Sequence, residues 1–282
     1  MRRMLPLTIA LALAAASGAA SAQFNLNLNR VFDTGKNILD ATKDVNEKQE
    51  AEIGRDYAAL LVGAAPLLAN AEVQRYVNRV GRWVALHTER PDLNWQFGVL
   101  DSDNINAFAT PGGYVLITKG LLARLRNEAE LAGVLAHETA HVVKKHHLNA
   151  MKKGKGIEAG ANVVSMYLEQ QGQRSAAAKE KLLGGMKEIM LRGLDKDDEF
   201  EADRMGVVIA ARAGYDPFGL PSVLQMLQSL NPKDSELALM FATHPDPGSR
   251  LDALDKAAGS RLDRFASQPQ AAERYASAIQ GK

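Results

Sequence analysis

His137-Glu138-Thr139-Ala140-His141 lies within the stretch Asn127 to Asn149. On a helix, residues i and i+4 stand one above the other, so His137 and His141 can turn two imidazoles toward one ion. Glu138 leaves the helix about 100° from His137, beside the ion rather than on it. That arrangement is the H-E-x-x-H zinc pattern, with the glutamate as general base. The pentapeptide also arises by chance, and the competing reading is a surface helix with two solvated histidines. Its context favours the metal. Leu131, Val134 and Leu135 follow helical spacing and form a buried face. Asn127 suits an N-cap, Glu128 and Glu130 suit the positive helix end, and Lys144, Lys145, His146 and His147 suit the negative end.

A catalytic zinc needs three protein ligands and an open position. The stretch Asp198 to Arg212 offers Glu199 and Asp203 at i and i+4 on one helix face. Glu199 can be the third ligand, and Asp203 can hold the far nitrogen of a metal-bound histidine. Glu201 points elsewhere and is expected in solvent. The competing reading is an acidic helix start, since Asp197, Asp198, Glu199 and Glu201 all complement a helix N-terminus. Further on, His244 precedes Pro245 and is held extended. Together with Arg250 it could stabilise an oxyanion or support its loop. The bland alternative is a turn that caps the helix from Ser249.

These groups need elements to hold them. Met1-Arg2-Arg3, an apolar run from Leu5 to Ala15 and Ala20-Ser21-Ala22 have the pattern of a secretory signal peptide, residues 1–22. Residues 23–36 read as a flexible lead-in, 37–259 as one metallopeptidase domain and 260–282 as a polar C-terminal tail. Without residues 1–22 the charge balance is 32 basic (34 less Arg2 and Arg3) against 33 acidic. That balance gives no reason to expect nucleic acid or an anionic membrane as partner. Cysteine is absent, so neither disulfides nor a lipidated cysteine is expected. A soluble periplasmic protein without stable membrane insertion fits these features.

The expected fold is α+β, mainly helical, with a small sheet whose edge strand flanks the H-E-x-x-H helix. Asn37 to Gly63 reads as a helix with Ile53, Tyr57, Leu60 and Leu61 on one side. Ala71 to His87 reads as another, burying Val73, Tyr76, Val77, Val80, Trp83 and Val84. Asn94 to Leu100 alternates as a strand, and Asn106 to Thr118 folds back on itself at Thr110-Pro111-Gly112-Gly113. This is either an ordinary hairpin or a substrate-binding edge. In the second case Asn106, Ala107, Gly112, Gly113 and Tyr114 meet a peptide that pairs along Tyr114 to Thr118. Lys152 to Lys155 reads as a solvated basic loop, and Gln170 to Lys181 as a mobile connection.

Taken together, Ala51 to Ala58 (AEIGRDYA), Asn106 to Gly113 (NAFATPGG), HETAH, Glu199 to Asp203 (EFEAD), Ala213 to Pro217 (AGYDP) and Thr243 to Arg250 (THPDPGSR) carry a resemblance. The chain resembles the zinc metallopeptidase family of the CAAX prenyl endopeptidases, HtpX and soluble periplasmic proteases of the BepA and LoiP type, over Glu50 to Leu254. The resemblance implies a gluzincin with one Zn2+ per chain on His137, His141 and Glu199. Glu138 would be the base, Asp203 a support for a ligand histidine, His244 the active-site loop histidine and NAFATPGG the substrate edge. Asp195-Lys196 stand where the family often has Ser-Arg.

The function so implied is an exported metalloendopeptidase acting on unfolded or misassembled envelope proteins. The rival is a periplasmic chaperone or assembly factor with slow or gated proteolysis. A pure binder has no need of Glu138. For His244 two jobs stay open, donor to the oxyanion or resting metal ligand that keeps the enzyme latent, with the lean toward latency.

Overall fold

A computed structural model describes residues 45–153 and 193–280, a compact unit beginning at Val45. Residues 1–36 and the two stretches read as a basic loop and a connection fall wholly or largely outside the described residues. The first described helix, α1, spans Glu47–Ala64. Asn46 sets its start through a capping box. Its Oδ1 accepts from the Gln49 amide at 3.0 Å, and the Gln49 side chain accepts from the Asn46 amide at 3.1 Å. Helix α2, Ala71–Ala85, is capped by Asn70 and buries Val73, Tyr76, Val77, Val80 and Val84. Trp83, expected on that face, is instead 48 % exposed, with its indole N–H donated to the Ala213 carbonyl.

Three strands follow: β1 Gln96–Leu100, β2 Ala107–Thr110 and β3 Tyr114–Thr118, in the order β1-β3-β2. β3 pairs parallel with β1 and antiparallel with β2, so Tyr114 to Thr118 is the central strand. The expected pairing of a peptide along it is therefore corrected: both of its edges are already occupied. β2 is the edge strand beside the metal helix. The β2–β3 turn is equally committed. Gly112 has φ +76°, a side chain there would strike the Ala51 backbone, and its N–H is donated to Glu50. Glu50 is fully buried and also takes a bidentate pair of bonds from Arg90 at 2.9 and 3.0 Å.

After the short α3, Lys119–Leu122, comes the metal helix α4, Glu128–Val143, with Asn127 accepting from the Glu130 amide at 2.8 Å. α5, His146–Lys153, follows a break at Lys145, whose φ is +57°. Beyond the undescribed stretch run α6 Lys196–Arg212, α7 Gly219–Ser229, α8 Ala238–Thr243, α9 Pro247–Ala258 and α10 Ala272–Gln280. α4 packs chiefly against α6 and α7, with β2 along its flank. Gly206 permits the α4–α6 approach, since a methyl there would lie 3.0 Å from the His137 backbone nitrogen. The segment expected to be a polar tail ends in α10, and its Tyr275 is buried in the main core.

Candidate metal centre

The two long helices bring the expected ligands together. His137, His141 and Glu199 offer ligand atoms that all lie within 4.8 Å of one another, and all three are buried. His137 Nε2 is 3.1 Å from His141 Nε2 and 3.7 Å from Glu199 Oε2, and His141 Nε2 is 3.5 Å from Glu199 Oε1. Ligands about 2.0–2.2 Å from a tetrahedral ion lie about 3.3–3.6 Å apart, so this spacing fits zinc. Glu199 Oε1 is buried without a hydrogen-bond partner among the described residues. Such an atom costs about 1–3 kcal/mol unless something satisfies it, and a cation between the three groups would. Two imidazoles and a carboxylate are also a donor set suited to zinc.

Charge is arranged to keep the ligands usable. Burial pushes the Glu199 carboxyl up, but His244, His141 and Arg250 outweigh it and hold it well below the usual carboxylate range. Burial holds His141 well below the usual imidazole value, hence neutral with a lone pair for a metal. Asp203 stands behind His137. Its Oδ1 lies 2.9 Å from His137 Nδ1, and Arg250 donates Nε to Oδ2 at 2.8 Å and Nη2 to Oδ1 at 2.5 Å. Burial raises Asp203, yet Arg250 and His137 bring its pKa down to about 2. Arg250 thus braces Asp203 rather than standing free in the loop.

Glu138 sits beside the triad, buried, and lines clefts on both sides of the site. Burial raises its pKa, which makes it a stronger base near neutral pH. His244, at the end of α8, places Nδ1 2.8 Å from Glu199 Oε2. Burial pushes its pKa down, but Glu199 outweighs that and leaves it raised.

Across the cleft runs β2. Ala107, Phe108 and Ala109 line it with Glu138, His141 and Glu199. The Thr118 amide donates to the Asn106 carbonyl at 3.0 Å, so Asn106, Phe108 and Thr110 are the positions bonded to β3. The alternation of an antiparallel ladder then directs the N–H and C=O of Ala107 and Ala109 away from the sheet. The opposite edge, β1, is covered: Asn78 accepts from the Phe97 amide at 3.0 Å and Gln74 from the Val99 amide at 2.8 Å.

Of the expected substrate contacts, Asn106 and Ala107 line the clefts, and buried Asn106 Nδ2 has no partner among the described residues. Gly112 and Gly113 do not: they pack against α1 and Trp95 and shape the turn. Tyr114 follows that turn in the central strand, paired with Gln96 and Thr110. Glu201 is not simply solvated. It accepts from Lys144 at 2.7 Å and lies 3.3 Å from His146 Nε2. Sequence reasoning also treated His146 and His147 as helix-end cations, whereas both are buried next to His141. The bare signal was two more histidines just past the motif, and what redirects them is the break at Lys145.

A sheet edge laid along a helix that carries H-E-x-x-H, with a glutamate ligand from a second helix, defines a zincin-like metallopeptidase. Residues 68–258 match Peptidase family M48, and the chain belongs to that family. It is 32 % identical over 217 residues to the beta-barrel assembly-enhancing protease of Escherichia coli, covering 74 % of this chain and 44 % of that protein. It is 26 % identical over 181 residues to the mitochondrial metalloendopeptidase OMA1 of Schizosaccharomyces pombe, covering 64 % and 52 % respectively. The Arabidopsis thaliana mitochondrial metalloendopeptidase OMA1 is 29 % identical over 166 residues, 58 % of this chain and 32 % of that one. The chain thus spans less than half the length of the beta-barrel assembly-enhancing protease it matches.

Proposed function

We propose that this chain is a zinc-dependent endopeptidase that hydrolyses peptide bonds in extended, unfolded polypeptide. The observation that carries the reading is the outer β2 edge, with Ala109 directed off the sheet, facing Glu138 and the ligand triad across one cleft. With the Ala107 N–H donated to Asn106 Oδ1 at 2.9 Å, a peptide laid on that edge pairs its backbone with Ala109 and the Ala107 carbonyl by strand addition. Its carbonyl then falls between the edge and the metal ligands. His137, His141 and Glu199 would hold the zinc, which would supply Lewis acidity for the carbonyl and the water.

Glu138 takes the proton from the attacking water and passes it to the leaving amine as the C–N bond breaks. Asp203, fixed by Arg250, holds His137 Nδ1–H, so His137 Nε2 stays bare for the metal. His244 donates Nδ1–H to Glu199, whose charge outweighs burial and raises the His244 pKa, and the protonated ring has an Nε2–H to offer the oxyanion. The bond alone serves either role, since a neutral ring would keep Nε2 bare for the metal; the raised pKa favours the donor role over latency. Loss of activity in His244→Ala supports it, and a rise in basal cleavage supports latency instead.

The pattern of residues 1–22 supports export, and the likeness to the Escherichia coli beta-barrel assembly-enhancing protease supports unfolded or misassembled envelope proteins as substrates. No helix among the described residues is long and apolar enough to cross a membrane. The test is cleavage of unfolded casein with zinc and with a chelator, by wild type and Ala109→Pro. The proline deletes one edge donor and should lower kcat/KM about 2- to 10-fold with zinc still bound. Equal cleavage by a folded Ala109→Pro protein would remove the edge from the reading. Cleavage indifferent to the chelator would remove the metal.

A further inference from the structure

Behind His141 stands a contact that the reaction above does not use. The helix break at Lys145 turns the chain so that α5 returns His146 to the buried side of the site, where it is 2 % exposed. His146 Nδ1 lies 2.9 Å from His141 Nδ1, with ring centroids 5.0 Å apart. Its Nε2 lies 3.3 Å from Glu201 Oε2, and Lys144 Nζ holds Glu201 Oε1 at 2.7 Å. We propose that His146 is a positioning residue for the metal centre, accepting the Nδ1–H of His141 and, backed by Glu201, fixing the tautomer and ring plane that aim His141 Nε2 at the metal. This rests on the metal-site reading.

Proton placement carries the inference. Two imidazole nitrogens 2.9 Å apart hydrogen-bond only if one bears a proton and the other does not. His141 Nε2 faces His137 Nε2 and Glu199, so it must be bare to ligate. The proton of neutral His141 is then on Nδ1, and His146 Nδ1 must accept it. That leaves the His146 proton on Nε2, where Glu201 receives it. The reverse placement puts a proton on His141 Nε2 and closes the lone pair. His146 is not a ligand in its own right: only His137, His141 and Glu199 converge among the described residues.

The two ligand histidines are therefore braced by different means. Asp203 holds His137 directly, while His141 is held through an intermediate ring. A ligand histidine without its outer partner typically loses about 10- to 100-fold in metal affinity.

Two amides separate positioning from simple packing. Asparagine places its oxygen near the ring position of Nδ1 and can accept from His141. Glutamine reaches the position of Nε2 and can serve Glu201 but not His141. Zinc affinity is measured by chelator competition on the metal-free full chain of wild type, His146→Asn and His146→Gln, and thermal unfolding confirms that each is folded. Visible absorption of the Co2+-loaded proteins reports the ligand field independently of activity.

The expected result is His146→Gln weaker by about 10- to 100-fold with a shifted Co2+ spectrum, and His146→Asn close to wild type in both. Equal affinities for the two variants, or wild-type affinity in His146→Gln, would overturn the proposal while leaving the metal site intact. A wild type that binds no zinc would overturn both. Should neither variant fold, Glu201→Ala reads the same chain from its far end. It is expected to weaken zinc binding, and unchanged affinity would count against the relay.

Discussion

Glu128 and Glu199 are both buried carboxylates at the same metal helix, yet their surroundings are opposite in kind. Glu128 lies in the first turn of α4 and is saturated. Tyr76 donates to Oε2 at 2.6 Å, Tyr215 to Oε1 at 2.7 Å, and the Arg274 guanidinium from α10 forks across both oxygens. Burial pushes Glu128 up, but Arg274, Tyr76 and Tyr215 hold it below the usual range. Glu199 has His244 on one oxygen and, among the described residues, no hydrogen-bond partner for the other. A carboxylate that ties elements together has its lone pairs filled by the chain, whereas one that serves a metal is left with a pair to give. A buried acid with an orphaned oxygen inside a cluster of imidazoles is thus the more informative one.

The contrast breaks first if Glu199 turns out to be another tie. Glu199→Ala is expected to abolish stoichiometric zinc and all cleavage, because two histidines alone do not close the site. Metal analysis checks this, and a variant that still binds one zinc would transfer the ligand role elsewhere. Glu128→Ala should do the reverse. Leaving two buried tyrosine hydroxyls without their acceptor, while exposed Arg274 turns to water, is expected to cost about 2–4 kcal/mol of folding stability. Its zinc affinity should stay within about 2-fold of wild type, as for independent sites. Denaturant unfolding and chelator competition on the same protein separate the two effects.

Acid sharpens the comparison further. The Glu128 contribution is present above the ordinary carboxylate pKa, about 4, and is lost as pH falls below it. His147, beside the metal centre, behaves otherwise. Burial and His146 push it down to about 4, so its neutral ring stabilises the fold above the ordinary histidine value. That contribution drains as pH falls from about 6.5 toward 4, by up to about 1.4 kcal/mol per pH unit. His147→Phe in the metal-free protein should flatten the stability curve in that window relative to wild type. A curve parallel to wild type there would show that His147 is not buried neutral.

The candidate metal cluster was legible because each of its residues rests on local spacing. His137 and His141 are one turn apart on a helix capped by Asn127, and Glu199 and Asp203 are one turn apart on α6, whose start has no side-chain cap. What escaped depends on contacts distant in the chain. His146 and His147 face the site only because Lys145 takes a left-handed backbone conformation, where its Nζ reaches Glu50 at 3.4 Å. Nothing local in the hairpin tells that β1 joins it alongside β3, which makes β2 rather than β3 the open edge. The tail was expected to end in a weak helix, but its docking was not legible because Arg274 and Tyr275 find Glu128 and the Leu122 carbonyl far back in the sequence.

Separating the base from the ligands tests peptide hydrolysis at this centre most directly. Glu138 is buried beside the triad without belonging to it, so Glu138→Gln should keep one zinc per chain and the fold. Cleavage of unfolded casein should fall by at least about 100-fold, the lower range for loss of a general base. Full zinc content with cleavage lost is the predicted result. Full zinc content with wild-type cleavage would contradict Glu138 as the base, and with it the reading of this cleft as a peptidase centre.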